Sequence, residues 1–331
     1  MKRGSHNITL FIILVAVTIL ISISLPSKFL TLINFQSMTV QFTEFGLLAL
    51  AMMLAMLTGG IDLSVVSVAN LSGVVAALIL SKVTGLPIGS VILLAILAAV
   101  GTSAVCGLFN GALISFIGVP PILATLGTQG LFLGIAIVIT KGYSILGFPE
   151  EFLFIGTGEV LLLPMPLILF IIVSLIVAFI LRKTRQGFYM RMLGSNPTVS
   201  RFSGVNNRMV LLKTYLMAGI LAGVAAVVMI SRVNSMRPGY GYAYLLQAVL
   251  VVILGGTDPK GGFGTVLGVV MAILMLQVIQ SGSNILAFTP FFKKFIWGLM
   301  LLLVMVINFF LNRIREARSK GLGDVREKEA A

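Results

Sequence analysis

An all-α polytopic membrane protein, with about ten transmembrane helices and both termini in the cytoplasm, is the fold class that this sequence predicts. Three observations predict it. Of 331 residues, 58% are hydrophobic and 10% charged, where a soluble domain averages about 25% charged. The apolar residues gather in runs near the ~20 residues that a helix needs to cross a bilayer. The basic residues sort unevenly between alternate connections. A mean hydropathy of +1.12 excludes a soluble fold, which cannot hide so much apolar surface, and it excludes disorder. One cysteine, Cys106, leaves no disulfide framework.

In chain order the expected spans are 8–25, 42–58, 63–81, 88–116, 122–140, 160–181, 209–231, 242–255, 263–282 and 291–312. Each is continuously apolar, without the alternation of a membrane barrel strand, and helices keep their backbone bonds internal in lipid. The first follows Lys2 and Arg3 as a signal peptide would. Its apolar run is longer than a signal core and no Ala-x-Ala site follows, so it reads as a retained span. The second and eighth are short and end in Gly-Gly. With the N-terminus inside, 16 of the 23 Lys and Arg residues fall in inner segments and 7 in outer ones. That is the positive-inside bias, and it accounts for most of the net charge of +13 without nucleic acid. The whole chain, 1–331, reads as a single transmembrane domain, with a basic inner loop at 182–208 and a mixed-charge inner tail at 313–331.

Three acids fall in or near spans: Glu44, Asp62 and Asp258. Glu44 is expected near headgroup water at the outer start of the second span. Asp62 and Asp258 sit in glycine-rich breaks, where each is either a helix-capping group in a wet loop or part of a solute path. The breaks resemble each other: Thr58-Gly59-Gly60-Ile61-Asp62 precedes Leu254-Gly255-Gly256-Thr257-Asp258 by 196 positions. Paired, interrupted segments point to a solute path in transporters; chance in a chain with 35 glycines is the other reading. Asn70, Ser72, Asn110, Thr125, Thr128, Gln129, Gln247, Gln277 and Gln280 are uncharged polar residues within spans. They suit either a hydroxyl-rich solute or hydrogen bonds between helices. Asp62, Asn70, Asn110, Thr125, Gln129 and Gln247 are the path candidates. Gly101, Gly107, Gly111 and Gly127 are expected to allow close helix packing. The lone histidine, His6, lies at the terminus, which disfavours a proton relay.

The 182–208 loop carries six basic residues and no acid. After Gly194 it offers a short helix: Asn196 suits the cap, Pro197 the first turn and Gly204 the exit. Val199, Arg201 and Phe202 on that helix would dock a cytosolic partner; a basic loop held to anionic lipid is the alternative. No phosphate loop, metal-ligand set or Gly-x-Ser-x-Gly occurs in the sequence. No extramembrane segment exceeds about 27 residues, so uphill transport needs a motor on another chain.

Four segments, in order, carry a resemblance to a known family. They are Thr58-Gly59-Gly60-Ile61-Asp62-Leu63-Ser64-Val65; Gly107-Leu108-Phe109-Asn110-Gly111 with Val119-Pro120-Pro121-Ile122-Leu123-Ala124-Thr125-Leu126-Gly127-Thr128; Gly194-Ser195-Asn196-Pro197 with Ser203-Gly204-Val205; and Val252-Ile253-Leu254-Gly255-Gly256-Thr257 with Gly261-Gly262-Phe263-Gly264 and Gly268. Over roughly 42–310 the chain resembles the permease subunits of bacterial ABC sugar importers, in the ribose and autoinducer-2 branch of the monosaccharide and branched-chain amino acid permease family. Val199-Ser200 stands where the family usually has two alanines, Asn308 where an aspartate is common, and Asp258-Pro259 where small or aliphatic residues are usual. The resemblance implies a second permease copy or paralogue, two cytosolic ATPase subunits and an extracytoplasmic solute-binding protein, in a bacterial inner membrane. It implies a sugar-like substrate and no catalysis on this chain, with ATP bound only by the partner. It places ATPase coupling at Gly194, Asn196, Pro197, Val199, Arg201, Phe202 and Gly204. An ion- or proton-coupled secondary transporter and a passive channel are the competing classes.

Overall fold

The computed structural model describes residues 3–306. The first unit, which ends at Phe288, is built from thirteen helices. They are α1 (Arg3–Ser24), α2 (Pro26–Phe29), α3 (Leu32–Leu57), α4 (Val65–Lys82), α5 (Ile88–Ala112), α6 (Pro121–Thr140), α7 (Glu150–Thr157), α8 (Met165–Lys183), α9 (Arg185–Ser195), α10 (Pro197–Phe202), α11 (Asn207–Val233), α12 (Ala243–Leu254) and α13 (Val266–Ile285). A π-helical turn, Leu113–Ile117, continues α5. Two short antiparallel pairings tie connections together, Ile145–Leu146 with Ser235–Met236 and Glu159–Val160 with Leu163–Pro164. A second unit starts at Thr289, and its described part is a helix, 290–306.

Eight helices among the described residues are long and apolar enough to cross a membrane. The all-α polytopic fold is therefore as expected, and three span assignments change. The second span is not short: α3 has 26 residues and starts at Leu32. The Thr31 hydroxyl caps it, accepting from Asn34 N at 3.2 Å, and the polar side chains of its first turns find partners. Asn34 donates to Phe29 O at 2.9 Å and accepts from Ser281 Oγ at 2.8 Å. The segment expected at 160–181 begins as a hairpin, and its helix starts at Met165. The eighth segment is a helix of 12 residues, about 18 Å long, and cannot cross by itself. The tenth, 291–312, is helical to 306; its remainder and the 313–331 tail lie outside the described residues.

The core is organised around α3. Every residue from Phe42 to Leu57 is buried, because α4, α8, α11, α12 and α13 all pack on it. Helix α5 lies in backbone contact with α11. A Cβ on Gly107 would meet the Tyr215 carbonyl and Gly219, and one on Gly223 would meet Ser103. Small residues here let two backbones touch, which strengthens packing where lipid supplies no hydrophobic drive. Gly111 belongs to the same seam, against Leu212. Gly101 and Gly127 do not serve this role, since nothing lies within 4 Å of the position a Cβ would take.

Glu44 is the largest departure. Its side chain is fully buried rather than in headgroup water, and it pairs with Arg232 of α11. Arg232 Nε donates to Oε1 at 2.5 Å, a second guanidinium nitrogen donates to Oε2 at 3.1 Å, and Tyr244 Oη donates to Oε2 at 2.5 Å. One buried carboxylate thus joins α3, α11 and α12. Removing one partner of such a pair leaves a stranded charge. Glu44→Leu is expected to lower stability by about 3 kcal/mol, read as a lower thermal unfolding midpoint in detergent, and Glu44→Leu with Arg232→Met should recover most of the loss.

Candidate functional site

Both Gly-Gly breaks end their helices by one hydrogen-bond pattern. At the end of α3, Gly60 N donates to Ala55 O at 3.2 Å and Gly59 N to Met56 O at 3.0 Å. At the end of α12, Thr257 N donates to Val252 O at 3.1 Å and Gly256 N to Ile253 O at 3.0 Å. This is a Schellman close, whose exit residue adopts the left-handed conformation that glycine tolerates. Gly59 has φ +84° and Gly256 φ +81°. The structural match is therefore one residue out of the register that the sequence repeat suggests. The aspartates match too: each Oδ1 accepts from the backbone N–H two residues on, Ser64 N for Asp62 and Lys260 N for Asp258, both at 2.9 Å.

The first break, the middle of the basic loop and the Gly261-Gly262 turn that follows the second break meet backbone to backbone. Gly262 N donates to Leu57 O at 2.9 Å. A Cβ on Gly261 would lie 2.7 Å from Gly59 N and 2.8 Å from Gly194 Cα, and one on Gly194 would collide with Leu57 O and Gly262 N. Gly194 closes α9, a helix the sequence did not suggest; Thr184 Oγ1 caps it by accepting from Gly187 N at 3.3 Å. Directly after comes α10. Asn196 Oδ1 accepts from Thr198 N and Val199 N at 3.0 and 3.1 Å, Pro197 opens the helix, and Gly204, at φ +79°, follows it. Ser200 is buried and donates to Asn207 Oδ1 at 2.7 Å, while Asn207 Nδ2 donates to Pro197 O at 2.9 Å. That fixes the inner face of α10 to α11. The outer face carries Val199, 53% exposed, and Phe202, 86% exposed, with Arg201 exposed between them.

The path candidates form two groups. Asp62, Asn110 and Thr125 surround the first break. Ser64 Oγ donates to Asp62 Oδ1 at 2.6 Å and accepts from Asn110 Nδ2 at 2.8 Å. Leu63 N donates to Thr125 Oγ1 at 3.1 Å. The aspartate is buried, not in a wet loop, because α5 and α6 cover it with these side chains. Asn70, Gln129 and Gln247 belong to the other group. Asn70 Nδ2 donates to Tyr240 O at 2.7 Å and Gln129 Nε2 to Tyr242 Oη at 2.8 Å; Gln247 follows one turn into α12. Asn70 Oδ1, Asn110 Oδ1 and Gln247 Oε1 are buried without a protein hydrogen-bond partner. Sequence reasoning missed Arg232, Tyr240 and Tyr244. The available signal was an arginine closing the apolar run of α11, seven residues before a Gly-Tyr-Gly-Tyr stretch.

A bundle of apolar helices with two matched, glycine-closed interruptions, and with buried polar groups beside them, is the build of a membrane permease. The chain belongs to the family described as the branched-chain amino acid transport system / permease component, whose model matches residues 34–305. It is similar to the ribose import permease protein RbsC of Escherichia coli strain K12, 32% identical over 301 residues that cover 89% of this chain and 92% of that protein. The D-allose transport system permease protein AlsC of the same strain is 31% identical over 305 residues, 92% of each chain. The autoinducer 2 import system permease protein LsrD of Escherichia coli O9:H4 is 32% identical over 185 residues, 54% of this chain and 56% of that protein. No solved structure matches the chain.

Gly194→Ala must push a methyl group into two backbones and should cost at least about 2 kcal/mol, measured as a drop in unfolding midpoint and in transport. Gly204→Ala, in open space with only its left-handed φ against it, should cost about 1 kcal/mol in the same assay. Asp62→Asn keeps an oxygen for Ser64 N and should leave transport standing, whereas Asp62→Leu, which removes both bonds, should reduce it at equal membrane levels.

Proposed function

We propose that this permease is the membrane subunit of an ATP-binding-cassette importer for a sugar or sugar-like solute, in the bacterial cytoplasmic membrane with both termini in the cytosol. A second copy or paralogue completes the path, an extracytoplasmic binding protein delivers the solute, and separate cytosolic ATPase subunits bind and hydrolyse ATP. The observation that carries this reading is the junction of Gly194 with the end of α3 at the first break and with the Gly261-Gly262 turn after the second, one short step before an exposed apolar knob. A motor on another chain moves the spans only through a contact with two arrangements. Val199 and Phe202 on α10 offer that contact, and Gly194 and Ser195 pass its displacement to the end of α3 and to the turn between α12 and α13.

The substrate class is supported by the relatives named for ribose and allose import and by the buried polar groups. Asn70 Oδ1, Asn110 Oδ1 and Gln247 Oε1 have acceptor capacity to give, and a sugar supplies hydroxyl donors without a net charge. The acids are poorly placed for a proton relay, since Glu44 is neutralised by Arg232 and Asp62 is spent on a turn. In proteoliposomes with its ATPase and binding protein, the permease should support ribose- or allose-stimulated ATP hydrolysis. Phe202→Asp should release the ATPase on co-purification and abolish stimulation, because a buried aromatic is a typical interface anchor. Retention of both with Phe202→Asp and Phe202→Ala would move the coupling contact elsewhere.

A further inference from the structure

A cavity of about 280 Å³ opens between α1, α8, α9 and α13, apart from both groups of path residues. Arg182 and Arg191 line it, together with Asn7, Leu181, Thr265 and Val266, and among the described residues no carboxylate does. Arg191 is held in place by donating to the Leu181 carbonyl. Thr265 caps α13, its Oγ1 accepting from Gly268 N at 3.1 Å, so the positive end of a 20-residue helix also faces this space. Two guanidinium groups, an amide and a helix N-terminus make a set of donors suited to a phosphate, which arginine binds in a forked geometry.

Position selects the source of that phosphate. Asn7 begins the apolar stretch of α1, Arg182 stands in the last turn of α8, and Val266 begins α13. Three span ends therefore meet at the cavity, which is the depth of lipid headgroups. Leu181 and Val266 give the same cavity an apolar wall, which suits the glycerol and upper acyl carbons of a lipid and not a free anion. We propose that this cavity binds the phosphate of an anionic phospholipid. The ligand bridges the end of α8 to α9, three residues before Gly194, and so holds the junction helix against the membrane.

Native mass spectrometry of the full-length permease in detergent tests this, with phosphatidylglycerol and phosphatidylcholine offered in equal amounts. The wild type should retain phosphatidylglycerol in preference. Arg182→Gln, an exposed position, should reduce that preference about fivefold, and Arg191→Gln by a similar factor. Lys82→Gln, at the far end of α4, removes one charge as well and should change nothing. Should Arg191→Gln fail to fold, Arg182→Gln alone decides. Equal retention of the two lipids, or an unchanged preference in Arg182→Gln, overturns the proposal. Inorganic phosphate at millimolar concentration that displaces the lipid completely would reassign the cavity to a free anion and overturn the lipid assignment.

Discussion

Three stretches of backbone from distant parts of the chain touch with no side chain between them: Gly59 after α3, Gly194 at the end of α9, and Gly261 with Gly262 before α13. Close approach of this kind is possible only where Cβ atoms are missing. The rest of the fold is arranged to make it possible. Two helices must stop, which the matched Schellman closes achieve, and a third must end at Gly194, which the cap at Thr184 and the length of α9 secure. The Leu57 carbonyl at the end of α3 is satisfied across the junction by Gly262 N, so the break in one segment is completed by backbone from the other.

Interrupting two helices inside an apolar bundle exposes backbone polar groups that lipid cannot satisfy. The chain answers with side chains from neighbouring spans. Asp62 takes the amide of Ser64, Thr125 takes that of Leu63, and Asn110 orders the Ser64 hydroxyl. Polar residues inside spans thus divide into those that repair a break and those left with spare capacity. Asn110 does both, since its nitrogen is engaged and its oxygen is not.

Much of this was legible beforehand. Continuous apolar runs and sorted basic residues gave the helical membrane class, and the Asn196-Pro197 start marked α10, because caps and turns are written in single residues. The length of α3 was hidden by Asn34, Gln36 and Gln41, polar residues that read as loop until their partners elsewhere in the chain are known. The short reach of α12 was hidden for the opposite reason, since an apolar run records burial and not depth. The Glu44–Arg232 pair joins positions 188 apart in sequence, and nothing local in either neighbourhood specifies the other. The junction at Gly194 was visible only as three separate glycine-containing stretches, because steric contact between backbones leaves no pattern beyond the small residue itself.

The pair at Glu44 has a mechanical consequence. Tyr244 is bonded to it near the start of α12, while Gly256 lies just past the other end, with about 18 Å of helix between. One end of α12 is held to α3 and α11 by the Glu44 carboxylate, and the other leads through a short turn to Gly261 of the glycine junction. A displacement of the junction with the pair intact therefore cannot slide α12 along its axis. It rotates the helix about Tyr244, and a shift of about 2 Å at Gly256 becomes a tilt of about 6°. Gln247, one turn from the fulcrum, would travel little, and Ile253 and Leu254 would travel most. A lever of this kind turns a small push at one face into a change of shape along the bundle's interior, and its gain is set by the length of α12.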